Sequence, residues 1–407
     1  MTNKQAAIRI IRTLRREGYQ ALMAGGCVRD MLLGKRPKDY DVATDARPNQ
    51  VVKLFDRTLK VGAKFGVVIV LMDSRQVEVA TFRSEAGYAD GRHPDEVTFS
   101  TPEQDAARRD FTINGMFYDP VTGSVIDYVS GRRDLNRQLI RTIGDPDERF
   151  AEDYLRMLRA VRFSTRLGFR ISRATLSAVR KHAPKIASVS GERIRTELEG
   201  ILVDPNRSEG AEALVGTGLA DAVFPDYTLC DHRFASAVFA RLPRKVGFPL
   251  ALGAFFAGCR TDDALHKCRA LKLSRNQTKH VRFLLANRGR LLDADMSLAD
   301  LKRLLAEPYF WDLYALQWAI QKAKSDRRSL SPLIRIRRRI SSLGDIEVQP
   351  APLLDGHDLI RIGAEPGPAL GQLAEELYTA QLEGAIHTPA QAKEWASHWL
   401  KRHDAER

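Results

Sequence analysis

The pattern of hydrophobic and polar positions divides the chain into two regions. In the first third, the short apolar runs 19–24, 66–71 and 77–82 have the composition or the partial alternation of strands. Beyond about residue 146, apolar residues recur at helical spacing. The pattern predicts an α+β fold in which a small mixed sheet precedes an almost wholly helical remainder.

Prolines indicate how the helical remainder is divided. The prolines that mark segment boundaries are Pro146, Pro205, Pro225 and Pro350 to Pro352, since Pro is tolerated in the first turn of a helix but not in its interior. We therefore expect boundaries near these positions. The predicted segments are 1–145, 146–225, 226–348 and 349–407.

The composition adds a strong basic excess. The 407 residues include 64 Lys and Arg against 51 Asp and Glu, a formal net charge of +13, and 44% are apolar. This apolar fraction is enough for a sizeable core and excludes a disordered or fibrous chain. The positive charge favours a polyanionic partner such as RNA or DNA, because it attracts and holds phosphates.

The sequence predicts neither secretion nor membrane insertion. Residues 1–18 alternate charge with Ile and Leu, without a long apolar run before a cleavage site. No apolar run approaches the roughly 20 residues that cross a bilayer. The four cysteines form no C-x-x-C pair, and we expect Cys259 and Cys268 to be buried thiols rather than zinc ligands. We therefore expect a cytoplasmic protein.

Gly25 and Gly26 stand between a predicted strand and a predicted helix. Glycines let backbone N–H groups approach phosphate oxygens, and Arg29 in the helix adds a positive charge. The turn is a candidate phosphate site.

Asp39 and Asp41 flank Tyr40 at the start of a predicted strand. Side chains two apart on a strand point to the same side, so both carboxylates would share one site. Since they would repel each other, divalent cations are the expected counter-charges. Glu78, on another predicted strand, is either a third ligand or a solvent-facing acid. Carboxylates, Mg²⁺ and a phosphate site together predict attack of a hydroxyl on a nucleotide α-phosphate, with pyrophosphate leaving.

These residues belong to a longer pattern. Residues 25–34 followed by 39–44 resemble the first motif of the class II tRNA nucleotidyltransferases and bacterial poly(A) polymerases. The resemblance continues in order at residues 108–114, 152–163 and 192–198. It implies that the four predicted segments are a polymerase-beta-like nucleotidyltransferase head, a nucleotide-selecting helical neck, an RNA-binding helical body and a tRNA-binding helical tail.

The resemblance implies a two-metal site. Asp39 and Asp41 would bind Mg²⁺, with Glu78 as a further catalytic residue. The 3′-hydroxyl of an RNA would attack the α-phosphate of CTP or ATP.

The base would be selected from one helix. Asp153 and Arg156 are three residues apart, which predicts a common helical face, and Arg159 and Arg162 continue the row. An Asp accepts and an Arg donates hydrogen bonds in fixed directions, so the pair can read the edge of a base.

The remaining matched residues would hold the sugar and the phosphates. Gly26, Arg29 and Arg109 would contact the triphosphate, and Asp110 with Asn114 would hold the ribose or the local turn. The complete set of expected nucleotide-binding residues is Gly25, Gly26, Arg29, Arg109, Asp110, Asn114, Asp153, Arg156, Arg159 and Arg162.

Within this family several activities stay open. Residues 81–101 predict a long polar loop, and in the family a loop at this place helps the switch from CTP to ATP. Its presence argues against an enzyme that adds only the two cytidines, but leaves a CCA-adding and an A-adding enzyme as alternatives. The G-x-x-F-G form of residues 62–66 favours the tRNA enzymes over a poly(A) polymerase. A non-catalytic RNA-binding protein is disfavoured because Asp39 and Asp41 are both present.

The expected partners follow from this reading. They are the acceptor arm of tRNA, CTP and/or ATP and, for an A-adding enzyme, a separate CC-adding enzyme, with no membrane. The basic run 335–339 is a candidate RNA-backbone contact or a solvated helix face. Residues 250–259 contain no His-Asp dipeptide, so we expect no intact metal phosphohydrolase site in the body.

Overall fold

The computed structural model describes residues 1–59, 66–86, 96–324, 330–344 and 347–405. These residues form two compact units. The first comprises Met1–Ser236 and Gly258–Ser274, and the second comprises Ala237–Ala257 and Arg275–Arg407. The predicted division into four segments stays a prediction.

Strands are concentrated in the first 171 residues. In chain order the strands are β1 Ala21–Ala24, β2 Asp41–Thr44, β3 Thr58–Leu59, β4 Val67–Met72, β5 Arg75–Thr81, β6 Arg83–Ala86, β7 Glu96–Phe99, β8 Met116–Asp119, β9 Ser124–Asp127, β10 Leu139–Ile140 and β11 Arg170–Ile171. Seven of them form one mixed sheet in the order β3-β4-β5-β2-β1-β8-β9. The α+β class, with a small mixed sheet first, is confirmed.

The centre of the sheet brings three short strands together. β1 is antiparallel to both β2 and β8, whereas β2 and β5 run parallel. In this register Ala24 lies opposite Asp41, and Val42 lies beside Val79. The glycine turn after β1, the start of β2 and the middle of β5 therefore meet at one edge.

The two faces of the sheet pack differently. On one face, Val42 joins a core with the buried side chain of Ile10 from the first helix. On the other face, Ala43 packs with Phe82 and Phe117. Adjacent residues of β2 thus point to opposite faces, as strand geometry requires.

Helices make up most of the rest. In chain order they are α1 Asn3–Arg16, α2 Gly26–Leu32, α3 Pro48–Leu54, α4 Pro102–Ala107, α5 Gly131–Asn136, α6 Pro146–Glu152, α7 Leu155–Leu167, α8 Arg173–His182, α9 Gly191–Leu202, α10 Arg207–Gly216, α11 Leu219–Val223, α12 His232–Phe239, α13 Phe248–Phe255, α14 Thr261–Cys268, α15 Arg275–Ala286, α16 Leu298–Ala306, α17 Phe310–Ala323, α18 Ser331–Ser342, α19 Gly356–Arg361, α20 Pro368–Leu382 and α21 Pro389–Ala405. Short 3₁₀ helices lie at Thr112–Asn114, Ala183–Ser188, Tyr227–Leu229, Arg269–Leu271 and Arg290–Leu292.

The helices begin and end where local chemistry predicts. α6 starts after Asp145, whose carboxylate accepts hydrogen bonds from two backbone N–H groups of the first turn, with Pro146 at its first position. α7 ends at Gly168, which has a left-handed backbone. No described helix combines the length and the apolar character that crossing a bilayer requires.

Two local predictions were incomplete. The polar stretch 81–101 is not wholly a loop, because β6 and β7 pair as an antiparallel ribbon, with Arg83 opposite Phe99. Residues 87–95 of that stretch, and residues 62–65 of the G-x-x-F-G pattern, lie outside the described residues. The helical remainder also contains the two-residue strand β11, paired in parallel with β10.

The cysteine prediction was wrong for Cys259. This residue forms a disulfide with Cys230, with a Cα–Cα distance of 5.0 Å. The two lie 29 residues apart, a spacing that matches no motif, so the sequence did not reveal the pair. Cys268 is a buried free thiol, as predicted, and so is Cys27.

Candidate active site

A cleft of about 600 Å³ opens in the first unit. Its walls come from the β1–α2 turn, β2, β5, the segment around the first 3₁₀ helix, and α7. Twelve of the thirteen residues predicted from the sequence line it: Gly25, Gly26, Arg29, Asp41, Glu78, Arg109, Asp110, Asn114, Asp153, Arg156, Arg159 and Arg162. The fold thus collects into one cavity side chains that are up to 137 positions apart in the sequence.

The carboxylates lie where β2 and β5 run side by side. Since Val42 pairs with Val79, Asp41 and Glu78 occupy matching positions on the two strands. Asp39 precedes the strand, which begins at Asp41, and it does not line the cleft. The prediction that both aspartates lie on the strand was therefore wrong for Asp39. We call Asp39, Asp41 and Glu78 the carboxylate edge.

The carboxylate edge has an unbalanced negative charge. Loss of water around the group, the charge of Glu78 and, to a smaller extent, the charge of Asp39 raise the pKa of Asp41 to about 6, against an opposing effect of Arg109. In the described part of the chain none of the three acids forms an ion pair. No three His, Cys, Asp or Glu side chains among the described residues are grouped closely enough to hold a metal alone. A cation here would need oxygens from a substrate as well, which is usual for Mg²⁺.

The turn after β1 requires glycine for two reasons. Gly25 has φ +73°, a region that other residues rarely adopt. A Cβ at this position would also lie 2.8 Å from Nη1 of Arg109. The N–H of Gly25 donates to the carbonyl of Met116 on β8, at 3.1 Å, which fixes the turn to the sheet.

A buried hydrogen-bond network lies beneath this turn. Nη1 of Arg29 donates to Oδ1 of Asn114 at 2.6 Å, and Nδ2 of Asn114 donates to Oδ1 of Asp110 at 3.1 Å. Arg159 on α7 donates twice to Oδ2 of Asp110, at 2.9 and 2.6 Å. Arg29 also pairs with Asp30 at 2.7 Å. The network links α2, the 3₁₀ segment and α7.

The charge of Asp110 is stabilised inside this network. Burial alone would raise its pKa, but Arg159 and the hydrogen bond from Asn114 outweigh that effect and lower the pKa below its ordinary value. Asp110 is therefore ionised at neutral pH and holds Arg159 in place.

Arg109 is held by an acid from the helix before it. Its Nε and Nη2 donate to Oδ2 of Asp105, at 3.2 and 2.9 Å, and its Nη1 donates to the carbonyl of Asn114 at 3.3 Å. The guanidinium also lies 5.2 Å from the ring centre of Phe117. Arg109 is thereby directed into the cleft.

The side chains of Asp153 and Arg156 are held by contacts with different residues. Asp153 has an extended backbone between α6 and α7, so the prediction that it shares a helical face with Arg156 was wrong. Oδ2 of Asp153 accepts from Arg193 on α9 at 2.7 Å. Arg156 pairs with Glu152 and donates to the carbonyl of Arg149. Both side chains still line the cleft.

Arg162 completes the row along α7. Its Nε donates to Oε2 of Glu197 at 2.5 Å. The ring of Phe163 lies between three guanidinium groups, at 4.6 Å from Arg162, 5.3 Å from Arg29 and 5.5 Å from Arg159, distances typical of cation–π contacts.

We define the arginine wall as the five predicted arginines of the cleft, each paired with a carboxylate: Arg29, Arg109, Arg156, Arg159 and Arg162.

The sequence did not identify most of the supporting residues. Glu152, Phe163, Arg193 and Glu197 fall within the matched motifs, but nothing in their spacing shows what they contact. Asp105 precedes Arg109 by four residues, a spacing that predicts an ion pair on a helix. Three further cleft residues that were not predicted are Arg83, Arg108 and Arg166.

Two family models match the chain. Residues 21–141 match the family described as "Poly A polymerase head domain". Residues 168–230 match the one described as "Probable RNA and SrmB- binding site of polymerase A". The first match covers most of the cleft, and α7 lies between the two.

Three similar proteins, two matched over nearly the whole chain and one over about half of it, share one name. The CCA-adding enzyme of Lacticaseibacillus paracasei is 34% identical over 388 residues, 94% of this chain and 93% of its own. That of Geobacillus kaustophilus is 45% identical over 216 residues, a match that spans about half of each chain, 53% in both cases. The crystal structure of the Bacillus stearothermophilus CCA-adding enzyme in complex with CTP is 28% identical, with a TM-score of 0.82 over 100% of both chains. The chain belongs to the family of CCA-adding enzymes.

Proposed function

We propose that this chain transfers CMP and AMP from CTP and ATP to the 3′ end of tRNA and so builds the CCA terminus. The observation that carries the proposal is the cleft, where Asp41, Glu78 and the arginine wall line one cavity of about 600 Å³. This volume is in the range of small-molecule sites. The name of the relatives and the CTP complex of the Bacillus stearothermophilus enzyme support the choice of reaction.

Divalent cations fit the carboxylate edge. Its three acids offer hard oxygen ligands and have no ion-pair partner among the described residues, and loss of water together with the charges of Glu78 and Asp39 raises the pKa of Asp41. We propose that Asp39 and Asp41 hold Mg²⁺ in a two-metal site, with Glu78 as an assisting acid. Bound Mg²⁺ would activate the attacking hydroxyl and stabilise charge on the leaving pyrophosphate.

The arginine wall is proposed to hold the nucleotide. Arg109 and Arg29, beside the Gly25 turn, are placed to bind the triphosphate, which carries several negative charges, in a cleft whose charged lining residues are mostly arginines. Because each arginine already has a carboxylate partner, its orientation exists before the nucleotide arrives. Such preorganised charges lower the cost of orienting the reactants. The RNA hydroxyl then forms a bond to the α-phosphate as the bond to pyrophosphate breaks.

Asp153 and Arg156 are proposed to select the base. On their pairing edges, cytosine and adenine present an exocyclic amino donor beside a ring-nitrogen acceptor. Guanine and uracil present a carbonyl acceptor beside a ring N–H donor. A carboxylate that accepts and a guanidinium that donates therefore match cytosine and adenine and oppose the other two.

The second unit is proposed to contact the RNA backbone through basic helices. Residues 335–339 lie on α18, as the sequence predicted, and Arg337 and Arg338 are exposed there. Arg335 pairs with Asp295, and Arg339 donates to the carbonyl of Ala294. Since tRNA duplexes are recognised largely through shape and backbone, exposed cations suffice for this contact. The absence of phosphohydrolase activity stays a prediction.

The test is incorporation of labelled nucleotides into three tRNA transcripts, which lack CCA, CA or only the terminal A. Each transcript is incubated with CTP alone, with ATP alone and with both. We expect C, C and A to be added in order to the shortest transcript. Parallel reactions with UTP and GTP in place of CTP and ATP measure the background incorporation.

Other outcomes would redirect the proposal. Addition of a single A, and only to the transcript that ends in CC, would indicate an A-adding enzyme that depends on a separate CC-adding enzyme. Long A tails on any RNA would place the chain with the poly(A) polymerases. Binding of the transcripts without any incorporation would indicate a non-catalytic RNA-binding protein.

A further inference from the structure

A second cavity system lies in the first unit, away from the cleft. Cavities of about 510 and 390 Å³ share Lys4, Arg36, Pro37 and Tyr40 in their walls, so they form one continuous groove. Tyr40 belongs to the core on the α1 side of the sheet, whereas the next residue, Asp41, lines the cleft. The groove and the cleft share no lining residue.

The groove is lined by cations without counter-charges. Its basic side chains are Lys4, Lys35, Arg36, Lys38 and Arg75. All five are exposed, no Asp or Glu lines either cavity, and none of the five forms an ion pair with a described residue. We call it the basic groove. Five unneutralised positive charges in one concave surface create a potential that attracts anions.

Backbone contacts fix the position of these cations. Gly34 has φ +68°, and the N–H of Lys35 donates to the carbonyl of Asp30 at 2.9 Å, which turns the chain sharply after α2. Nδ2 of Asn3 donates to the carbonyl of Lys38 at 3.0 Å and ties this turn to the start of α1. The charges are therefore presented from a defined backbone.

The floor of the groove is apolar at one end. Met31, Leu32, Tyr118 and Val125 line the larger cavity, and Leu32 is 38% exposed. Cations along the walls with apolar and aromatic groups at the base suit a strand whose phosphates point outward and whose sugars and bases point inward. A single phosphate would engage only part of this surface.

We propose that the basic groove binds the phosphodiester backbone of an RNA strand, as a second RNA contact separate from the catalytic cleft. The spread of the cations over two adjoining cavities favours a polyanion over a mononucleotide. This inference concerns binding alone and does not depend on the proposed chemistry.

The first test compares two triple variants in the full chain. The groove variant is Lys35→Ala/Arg36→Ala/Lys38→Ala. The control variant is Arg132→Ala/Arg133→Ala/Arg137→Ala, which removes the same charge from exposed side chains elsewhere in the first unit. Affinity for a tRNA transcript that lacks CCA is measured without nucleotide at several KCl concentrations.

We expect the groove variant to bind about 10- to 100-fold more weakly near 0.1 M salt, with a salt-dependence slope reduced by about 2. The RNA affinity and the salt-dependence slope of the control variant should change much less. Equal affinities and equal slopes for the two variants would overturn the proposal, since the groove would then contribute no more than general surface charge.

The second test uses the unmodified chain. Lys4, Lys35 and Lys38 are acetylated with acetic anhydride, and their modification is quantified by mass spectrometry with the transcript, with CTP, or with neither. Protection by the transcript supports the proposal. Protection by CTP alone would make the groove a mononucleotide site, and no protection by either would exclude it as an RNA site. Protection by RNA without CMP incorporation would leave this inference intact and remove the proposed chemistry.

Discussion

The arginine wall lines the cleft together with Asp41 and Glu78 of the carboxylate edge, but the wall and the edge are built in opposite ways. Each arginine of the wall has a carboxylate partner within the first unit, as Arg159 has Asp110 and Arg162 has Glu197. The acids of the edge have none among the described residues, and the pKa of Asp41 is raised to about 6. The charges of the wall are therefore neutralised within the protein, whereas the acids of the edge have no ion-pair partner among the described residues.

This difference separates stability from activity. Breaking a pair of the wall leaves a partly buried charge without its counter-charge, which destabilises the fold. Removing an acid from the edge relieves repulsion, so it should not destabilise the fold although it removes a metal ligand. Substitutions in the two regions should therefore affect unfolding and catalysis in different proportions.

The largest expected effect is the loss of nucleotide incorporation when two acids of the carboxylate edge are replaced. Asp39→Ala/Asp41→Ala should lower nucleotide incorporation by about a thousandfold or more, because several kcal/mol of charge stabilisation at the reacting phosphate are lost. Incorporation of labelled CMP into a transcript that lacks CCA is the measurement, and RNA affinity should stay unchanged.

Asp56→Ala is the control for this variant, because Asp56 is an exposed acid of the same unit that does not line the cleft. Its activity should match that of the unmodified chain. Substantial incorporation by the double variant would show that the metal ligands have been assigned wrongly.

The next effect concerns the stability of the wall. Asp110→Asn should lower the free energy of unfolding by about 2 kcal/mol at pH 7, since Arg159 loses its main counter-charge. The pKa of Asp110 is lowered by folding, so the ionised group stabilises the fold above the unfolded-state pKa of about 3.9. This contribution disappears as the pH falls through the folded-state pKa.

Urea unfolding at several pH values measures this effect. The difference between the unmodified chain and Asp110→Asn should be full at pH 7 and should shrink below about pH 4. The control is Asp147→Asn, which breaks the contacts of a half-exposed acid with Lys181 and His182 and should change the stability much less. A difference that does not depend on pH would contradict an electrostatic origin.

Much of the cleft could be predicted from the sequence, because its chemistry lies in contiguous motifs. Gly25 and Asp41 were recognisable from residue type and spacing, Asn114 was implied by the resemblance of residues 108–114 to a family motif, and the fold brings the three together. The prediction failed for Asp153, which was placed on a helix, because the break between α6 and α7 is not visible in the periodicity.

Contacts between distant segments could not be predicted. Arg193 reaches Asp153 across 40 residues, and the basic groove collects Lys4, Arg36 and Arg75 from three separate elements. No local sequence pattern predicts such contacts, since they depend on sheet order and helix packing. The ribbon of β6 and β7 was missed for a related reason: its polar strands pair with each other and lack the apolar alternation of a buried strand.

A smaller effect should follow when the support of the base-reading pair is removed. Arg193→Ala should reduce the preference for CTP over UTP by about tenfold, on the order of 1.4 kcal/mol, since Asp153 loses the contact that orients it. The ratio of kcat/KM values for the two nucleotides is the measurement. Arg193→Lys should restore part of the preference.

Arg195→Ala is the matched control, because Arg195 lies on the same helix but donates to the carbonyl of Lys272 instead. It should leave the nucleotide preference unchanged. If Arg193→Ala lowered kcat for all nucleotides equally, Arg193 would support the fold of the cleft without orienting Asp153.

The smallest expected effect is on the Tm of an Asp41 variant, and it tests the contrast between the carboxylate edge and the arginine wall directly. Without divalent cations at pH 8, Asp41→Asn should raise Tm by about 1 to 2 °C, since the ionised carboxylate of Asp41 loses surrounding water and lies beside the like charge of Glu78. The sign follows from the raised pKa of about 6: the ionised form is the unfavourable one, so the difference in Tm should shrink below about pH 6 and disappear only below the unfolded-state pKa of about 3.9. Added MgCl₂ should raise the Tm of the unmodified chain more than that of the variant, because only the former keeps both proposed ligands. A lower Tm for Asp41→Asn without metal would mean that Asp41 is stabilised within the protein itself, and the contrast between edge and wall would then be lost.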